Sequence, residues 1–493
     1  MDDNALQENM CFVGGIPIIT KFANRKYPND VRLEAASFVN KMCESSPLIL
    51  QMFVSCGGLN VLVEFLEEDL ETHSHFVNIG ISGVWCVFEL QGSTLKNDLC
   101  RMFSRRSLLE PLSMALHHLL RGKERNAGAS VERIVAIFLR FSHSDNDVKE
   151  DIATRRVLRR LLNDLHLMST APQVVILKFF KNLSTLPSTL EVIQNSNAIE
   201  ILTDILATSR GSPKYVDISN QVLSTLYNLC RLSKARQEEA ALSGLVPLLQ
   251  SVVRADRPLK EFALPIFCDF AHASSTCRQV LWQHDGLRFY LSFLCDPYWQ
   301  VGALEAILIW LQFETATVED HLIDDTSLGQ LCQMVIETKA NTIEGILEPL
   351  YKLLRLAPQV ALRIARPDFM QIISERLRHR KTVVRLNILR ILKTLCEAQT
   401  DNRQVLKDFG LTAQIEVLSK SDPAVLVKEL ARELIADQKK VEPKARPEMR
   451  RSEASDSSYT PRPPKSVQSL ASPERGTYKK AMKKAFEVKA LRE

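Results

Sequence analysis

The chain has 493 residues, of which 45% are hydrophobic and 25% are charged, and its formal net charge is +5. Glycine is scarce, with 17 residues, which disfavours turn-rich β architectures because tight turns need residues that tolerate positive φ. The 11 cysteines form no C-x-x-C pair and no H-E-x-x-H segment occurs, so zinc motifs are not expected. The longest apolar run in the most hydrophobic stretch, 306–311, is far shorter than the roughly 20 residues of a membrane span, so a transmembrane helix is not expected.

Along the chain, short breaks in the apolar pattern recur, and each is followed by an apolar residue that begins a helical pattern. These residues are spaced by 41 to 50 positions; they are Ile16, Leu59, Leu109, Leu158, Ile199, Leu245, Leu287, Leu328, Phe369 and Leu411. A period of about 40–47 residues with two or three helices per unit is typical of armadillo and HEAT repeats. We therefore predict an all-α, right-handed armadillo/HEAT-like α-solenoid of about ten repeats over residues 14–439.

Each unit also contains a longer apolar helix, which is expected to line the concave groove where partners bind. Aligning these helices on the segment "LYNLC" gives one residue per unit: Lys41, Val87, Arg140, Asn182, Asn228, Asp269, Trp310, Lys352 and Thr394. The asparagines could bond a neighbouring backbone or a bound peptide, or they could tie their own inter-helix turns. Trp310 could be a core residue or an exposed anchor. Asn182, Asn228, Asp269, Trp310 and Lys352 are our first candidate partner-binding residues.

The eighth and ninth units form the most basic part of the predicted solenoid. Their cations are Arg363, Arg366, Arg376, Arg378, Arg380, Lys381, Arg385, Arg390 and Lys393. They could form a solvated face or a patch for an acidic protein surface. Nucleic acid is not expected as a partner, because no RNA-binding aromatic motif or helix-turn-helix context accompanies the charge. Arg385, Arg390 and Lys393 join the candidate partner-binding residues.

One late segment resembles a kinase motif. Asp408, Phe409 and Gly410 form the D-F-G triplet that binds magnesium in protein kinases, but the chain has no G-x-G-x-x-G loop, no strand lysine and no H-R-D loop. The triplet lies where "HDG" and "LSG" precede other apolar anchors. We therefore predict that Phe409 packs in the core and that Gly410 makes an inter-helix turn. No catalytic residue, metal ligand or cofactor is predicted, and the chain is not expected to be an enzyme.

The composition changes at residue 440. Residues 440–493 carry 14 Lys/Arg and 7 Asp/Glu, so the positive charge of the chain belongs to this tail. Proline and serine dominate its first part, so we predict a disordered basic linker at 440–475 and a short basic helix at 476–493. Thr460 and Ser472 each precede a proline and are candidate phosphorylation sites.

Four stretches go beyond a generic repeat pattern; they cover residues 14–42, 53–69, 83–113 and 177–206. They resemble the C-terminal armadillo-type region of the fungal septation-initiation Ser/Thr protein kinases. The resemblance implies recruitment to the spindle pole body by a small Ras-like GTPase, through the non-kinase part, and a role in cytokinesis. The family's kinase domain is absent, so no catalytic residue carries over, and we expect residues 1–13 to be a linker remnant.

Three functions remain open at this point. The first is a scaffold of the septation pathway, in the cytoplasm and at the spindle pole body, that binds a Ras-like GTPase and a spindle-pole-body scaffold. The second is the regulatory fragment of a full-length Ser/Thr kinase. The third is a generic importin-like peptide-binding solenoid, which predicts a regular Trp/Asn ladder, whereas only Asn182 and Asn228 hold the asparagine here.

Overall fold

A computed structural model describes residues 4–90, 93–122, 127–255, 257–399 and 404–439. The chain divides into two units, Met1–Lys440 and Val441–Glu493, and only the first contains described residues. The tail predictions, including the linker, the basic helix, Thr460 and Ser472, therefore lie outside the described residues.

The described ranges contain thirty α-helices, which group in threes into ten units. Units 1 to 5 consist of α1 (Asn4–Phe12), α2 (Gly15–Phe22), α3 (Asn29–Glu44), α4 (Pro47–Ser55), α5 (Gly58–Leu66), α6 (Leu70–Glu89), α7 (Ser93–Ser104), α8 (Leu109–Arg121), α9 (Ala127–Ser142), α10 (Asn146–Ile152), α11 (Arg155–Asp164), α12 (Thr170–Ser184), α13 (Leu190–Gln194), α14 (Ala198–Thr208) and α15 (Tyr215–Cys230). Units 6 to 10 consist of α16 (Lys234–Leu242), α17 (Leu245–Ala255), α18 (Arg257–His272), α19 (Ser275–Gln283), α20 (Gly286–Leu291), α21 (Gln300–Phe313), α22 (Thr315–Leu322), α23 (Asp325–Glu337), α24 (Glu344–Leu356), α25 (Pro358–Ile364), α26 (Pro367–Arg376), α27 (Thr382–Ala398), α28 (Gln404–Asp408), α29 (Thr412–Ser421) and α30 (Val425–Lys439).

The third helices of the units pack on one another in series, from α3 against α6 through to α27 against α30. In most units the second helix lies against the third. A single unit cannot bury the apolar faces of all three helices, so stacking produces one continuous core. The predicted all-α solenoid of about ten repeats is thereby confirmed.

The apolar residues that define the repeat period are all in this core. Each of the ten, from Ile16 to Leu411, is at most 4% exposed. Nine of them lie in the second helix of their unit, and the tenth, Leu411, comes one residue before it. The spacing of these residues therefore reports the repeat correctly.

The solenoid begins earlier than the sequence indicated. Residues 4–12 form α1, which takes the place of the first helix of unit 1 and packs against α2 and α4. Cys11 is 4% exposed, and the hydroxyl of Ser46 donates to Glu8 Oε1 at 3.2 Å. The interpretation of residues 1–13 as a linker remnant is therefore wrong for residues 4–12. It failed because a short polar helix with one buried face has little apolar periodicity.

The turn between the first and second helices uses the left-handed backbone region in most units. The described residues with positive φ are Gly14, Gly57, Ser107, Asn197, Gly244, Asp285 and Gly410. Gly410 has a φ of +63°, and Phe409 beside it is partly buried against the core. The D-F-G triplet is therefore an inter-helix turn, as predicted.

Gly410→Val is expected to lower the free energy of unfolding by about 1 kcal/mol or more, because a β-branched residue is strained at positive φ. A Cβ at this position would meet no atom within 4 Å, so backbone strain is the only cost. Gly410→Asn is the matched control, since Asn197 adopts this conformation in unit 5. Asp408 is exposed, and Asp408→Ala should change stability by less than about 0.5 kcal/mol. Urea denaturation tests this, and equal midpoints for the valine and asparagine variants would contradict it.

Candidate functional site

The third helices bury one side in the core and leave the other side to solvent. We call this open side the ladder face. Its described members include Lys41, Ser82, Trp85, Arg133, Arg140, Lys178, Asn182, Asn220, Tyr227, Asn228, Arg231, Asp269, Glu305, Glu348, Tyr351, Lys352, Arg390 and Lys393, all of them partly or fully exposed. Because α3 to α30 stack in series, these side chains follow one another from unit to unit. The ladder face is the candidate functional site.

The two asparagines of the predicted ladder connect neighbouring units. Asn182 Nδ2 donates to Ser142 Oγ at 2.9 Å, and Asn228 Nδ2 donates to Ser184 Oγ at 3.0 Å. Each serine belongs to the third helix of the preceding unit. The amides therefore do not tie their own inter-helix turns, which was one of the two readings. Both side chains remain partly exposed, so a contact with a partner stays a prediction.

Trp310 is not an exposed anchor. Its side chain is 0% exposed, its Nε1 donates to Glu314 Oε2 at 3.2 Å, and its ring centroid lies 4.5 Å from that of Trp282. Val87, which the same alignment placed in the ladder, is also 0% exposed. One residue corresponds to a rotation of about 100° around a helix. In these two units the alignment selected a residue one position too late along the helix. The preceding residues, Cys86 and Ile309, are partly exposed.

Glu314 accepts hydrogen bonds from three side chains around Trp310. Besides the Trp310 bond, its Oε2 accepts from Trp282 Nε1 at 2.8 Å, and its Oε1 accepts from Arg278 Nε at 2.9 Å. Burial alone would raise the pKa of Glu314, but the bonds from Trp282, Arg278 and Trp310 outweigh it and lower that pKa. The cluster ties α19 to the end of α21 within unit 7, next to the start of α22, and has a structural role.

Arg385 is also not available to a partner. Its side chain is 9% exposed, and its Nε and Nη2 donate to the two oxygens of Asp422 at 2.7 and 3.0 Å. Its Nη1 donates to the carbonyls of His379 and Arg380. Burial would raise the pKa of Asp422, but hydrogen bonds from Arg385 and the Ala424 amide lower it. The prediction of Arg385 as a partner-binding residue is therefore wrong, because the pair links units 9 and 10.

Most of the other cations between Arg363 and Lys393, which we call the basic cluster, have partners as well. Arg366 contacts Asp325, Lys381 contacts Glu344, and Lys393 contacts Glu433, each pair joining neighbouring units. Among the described residues of this cluster, Arg378 and Arg380 are exposed with no side-chain hydrogen bond or ion pair. On the ladder face, Arg390 lies 5.8 Å from the Tyr351 ring centroid and donates to Asn387. The cluster is thus not one continuous free patch.

The ladder face of units 6 to 8 has an acidic character. Asp269, Glu305 and Glu348 lie on successive third helices, and Glu348 pairs with Lys352 at 2.8 Å. Burial raises the pKa of Glu305, which the charge of Lys352 partly offsets. Burial and then the charge of Asp269 raise the pKa of Tyr227 above its ordinary value.

Trp85 lies on the ladder face of unit 2 but was not among the partner-binding residues predicted from the sequence. It is partly exposed, and the Arg140 guanidinium lies 5.3 Å from its ring centroid. Arg140 also donates to Glu89 Oε1 at 2.7 Å, and Arg133 donates to Ser82 Oγ at 2.8 Å. An alignment on the buried residues of "GISGVWCVFEL" would have found Trp85, since it lies beside Cys86 on the open side.

Neither a metal nor a membrane site emerges from the described part of the chain. There, no group of three or more His, Cys, Asp or Glu side chains is placed to bind a metal ion. None of the described helices is by itself long and apolar enough to cross a bilayer. Two consecutive helices, Pro47–Ser55 and Gly58–Leu66, are together long and apolar enough by length and composition only, and they are bent by 86° relative to each other.

Comparison with known proteins gives relatives but no matching protein-family model. Cytokinesis protein sepH of Aspergillus niger is 50% identical over 463 residues, which cover 92% of this chain and 35% of that protein. Cell division control protein 7 of Schizosaccharomyces pombe is 36% identical over 436 residues, 88% of this chain and 41% of that protein. An engineered protein of known crystal structure, 13% identical, superposes with a TM-score of 0.54 over 86% of this chain and 99% of its own, which shows likeness in fold alone.

Proposed function

The chain is homologous to one region of the fungal septation kinases, and from this premise we propose that it is a protein-interaction scaffold that binds a Ras-like small GTPase. It spans well under half the length of those relatives, so their activity and partners enter here only as part of the proposal. The observation that supports the proposal best is the ladder face, an open surface that continues over the stacked third helices. In this role the chain is the regulatory region of a septation signalling protein.

The ladder face has the composition that a protein interface needs. A standard interface buries roughly 1,600 Å² and draws most of its energy from a few aromatic and arginine residues. Tyr227 and Tyr351 are partly exposed there, and Arg390 lies beside Tyr351. We therefore place the GTPase on the middle and later units. The contacts proposed are Asn182, Asn228, Tyr227, Asp269, Tyr351, Lys352, Arg390 and Lys393.

We also propose that the chain localises to the spindle pole body. Binding to a GTPase and to a scaffold at the spindle pole body would bring the chain from the cytoplasm to that structure during division. The test is fluorescence microscopy of the tagged chain in dividing fungal cells. Tyr227→Ala should reduce the spindle-pole signal, whereas a signal that persists unchanged would indicate recruitment by another surface.

Tyr227→Ala is expected to weaken GTPase binding roughly tenfold, as loss of a partly buried aromatic anchor usually does. Arg390→Glu is expected to slow association and to change its dependence on salt, because charges at an interface mainly steer the encounter. Lys420→Glu is the matched control, since Lys420 is exposed on α29, which is a second helix. Biolayer interferometry against the GTP-loaded and GDP-loaded forms measures both rates, with helicity checked by circular dichroism.

Two outcomes would contradict the proposal. Equal affinity for the two nucleotide forms would remove the switch-dependent recruitment. Unchanged affinity in both ladder-face variants would place the GTPase elsewhere on the chain. A generic importin-like function is less well supported, because Asn182 and Asn228 use their amides to bond serines of the neighbouring unit.

A further inference from the structure

The ladder face of units 2 to 5 differs in charge from the rest. Its third helices present Arg133, Arg140 and Lys178, and Arg231 directly follows α15. The sequence of α12 contains two lysines and no acidic residue, and α15 has only Asp217, in its first turn. We call the surface formed by Trp85, Arg133, Arg140, Lys178 and Arg231 the basic segment. We propose that the basic segment binds an extended acidic peptide, rich in Asp and Glu, of a partner protein other than the GTPase.

The Trp85–Arg140 pair joins α6 and α9 at one end of the basic segment. A guanidinium over an indole ring is held in place by a cation–π contact, and both residue types are enriched among binding hot spots. Arg140 already donates to the carboxylate of Glu89 at 2.7 Å, so its position suits this acceptor. Glu89 is 53% exposed, and a peptide carboxylate can replace or join it.

Two cations near this pair lack a carboxylate partner. Lys178 is exposed on α12 and Arg231 is exposed directly after the end of α15, and neither side chain has an ion pair with a described residue. These two cations would therefore attract a negatively charged ligand, and no ion pair within the chain would have to break first. Long-range attraction of this kind raises association rates and is weakened by salt.

The same region offers hydrogen-bond acceptors for a peptide main chain. Asn220 Oδ1 and Gln221 Oε1 lie on α15 and have no donor among the described residues, and Gln221 is 6% exposed. Buried polar atoms nearly always have a partner. An extended peptide supplies one N–H per residue, and rotation of these amides toward it would give both oxygens a donor. Carboxylates for the cations and N–H groups for the amides together indicate an acidic peptide in extended form.

The length of the site follows from its neighbours. Four stacked third helices, α6 to α15, at about 8–10 Å between axes span roughly 30 Å. An extended peptide rises about 3.3 Å per residue, so about ten residues fit. Beyond α15 the ladder face becomes acidic at Asp269 and Glu305, which would repel a longer polyanion such as a nucleic acid.

The test is fluorescence anisotropy of the full chain with a labelled twelve-residue Asp/Glu-rich peptide. Lys178→Glu and Trp85→Ala should each weaken binding roughly tenfold, whereas Lys420→Glu should leave it nearly unchanged. The basic tail is the same in every variant, so the difference between Lys178→Glu and Lys420→Glu isolates the basic segment. A Lys/Arg-rich peptide of equal length should not bind detectably.

Three outcomes would overturn the proposal. One is equal affinity of Lys178→Glu, Trp85→Ala and Lys420→Glu for the acidic peptide. Another is binding only when phosphoserines replace the carboxylates. The last is a twelve-nucleotide single-stranded DNA that binds with the same dependence on Lys178 and Trp85 and more tightly than the peptide. The assay contains no GTPase, so its result is independent of the proposed function.

Discussion

Glu314→Ala is expected to lower the free energy of unfolding by about 3 kcal/mol, because removal of the partly buried carboxylate leaves the nearly buried Arg278 guanidinium uncompensated. Arg278 is 7% exposed and would lose its carboxylate, and the indole N–H groups of Trp282 and Trp310 would lose their acceptor. The contact between α19 and the end of α21 should loosen first. Urea denaturation followed by tryptophan fluorescence measures the loss, since two indoles report directly on this cluster.

Glu416→Ala is the matched control for this substitution. Glu416 is exposed on α29 with no side-chain partner among the described residues, so its loss should cost less than about 0.5 kcal/mol. Glu314→Gln keeps the shape of the side chain and removes its charge, so an intermediate loss is expected. A Glu314→Ala variant as stable as Glu416→Ala would contradict the role of the cluster.

Acid should remove the same stabilisation in the unmodified chain. The folded-state pKa of Glu314 is lowered, so its contribution is present above the unfolded pKa of about 4.3 and is lost as the pH falls through the lowered value. The difference in stability between the chain and Glu314→Gln should therefore shrink across that interval. A difference that stays constant down to pH 3 would indicate that the charge of Glu314 is unimportant.

Arg385→Glu is expected to cost about 3–5 kcal/mol, because it places a second carboxylate against the buried Asp422. Arg385 also donates to two main-chain carbonyls, and both would be left without that donor. The contact between units 9 and 10 should open, which limited proteolysis would detect as cleavage near α29. Thermal denaturation gives the size of the effect.

Arg390→Glu makes the same charge change on the ladder face, where Arg390 is partly exposed, and should be close to neutral for stability. The pair Arg385→Leu with Asp422→Leu should be less destabilising than either single change, since removing both ions avoids an uncompensated buried charge. If Arg385→Glu and Arg390→Glu unfold at the same temperature, the Arg385–Asp422 pair is not a structural link.

Much of the architecture was predictable because repeats average out local errors. The anchors from Ile16 to Leu411 recur often enough that one misplaced residue does not change the period, and all ten are buried. The position of the Gly410 turn followed from the same alignment. Only a residue that tolerates positive φ fits a left-handed turn, and this leaves a visible mark in the sequence.

The candidate site was harder to predict, because a shift of one position along a helix decides whether a side chain is buried or exposed. Trp310 and Val87 are buried, whereas Cys86 and Ile309, one position earlier, are partly exposed. Apolar residues surround all four positions, so hydrophobicity alone does not show which side of the helix is open. The polar ladder residues Asn182 and Asn228 were placed correctly on the open side, because polarity and exposure agree there.

Pairing across units was not predictable at all. Arg385 and Asp422 are 37 residues apart, and no pattern in the sequence distinguishes this pair from Arg378 or Arg380, which are exposed. The choice depends on how one unit stacks on the next. Opposite charges about one repeat apart are common in this chain, and most would be weak surface pairs.

Photo-cross-linking to the GTP-loaded GTPase tests most directly whether the ladder face is the surface that binds partners. A photoreactive amino acid is placed singly at Tyr227, Asn228 or Lys352 on the ladder face, and at Glu200 on α14 or Lys420 on α29 as controls on second helices. We predict cross-links from the three ladder-face positions and none from the controls, each reduced when the GTPase carries GDP. Cross-links from the second-helix positions alone would contradict the account.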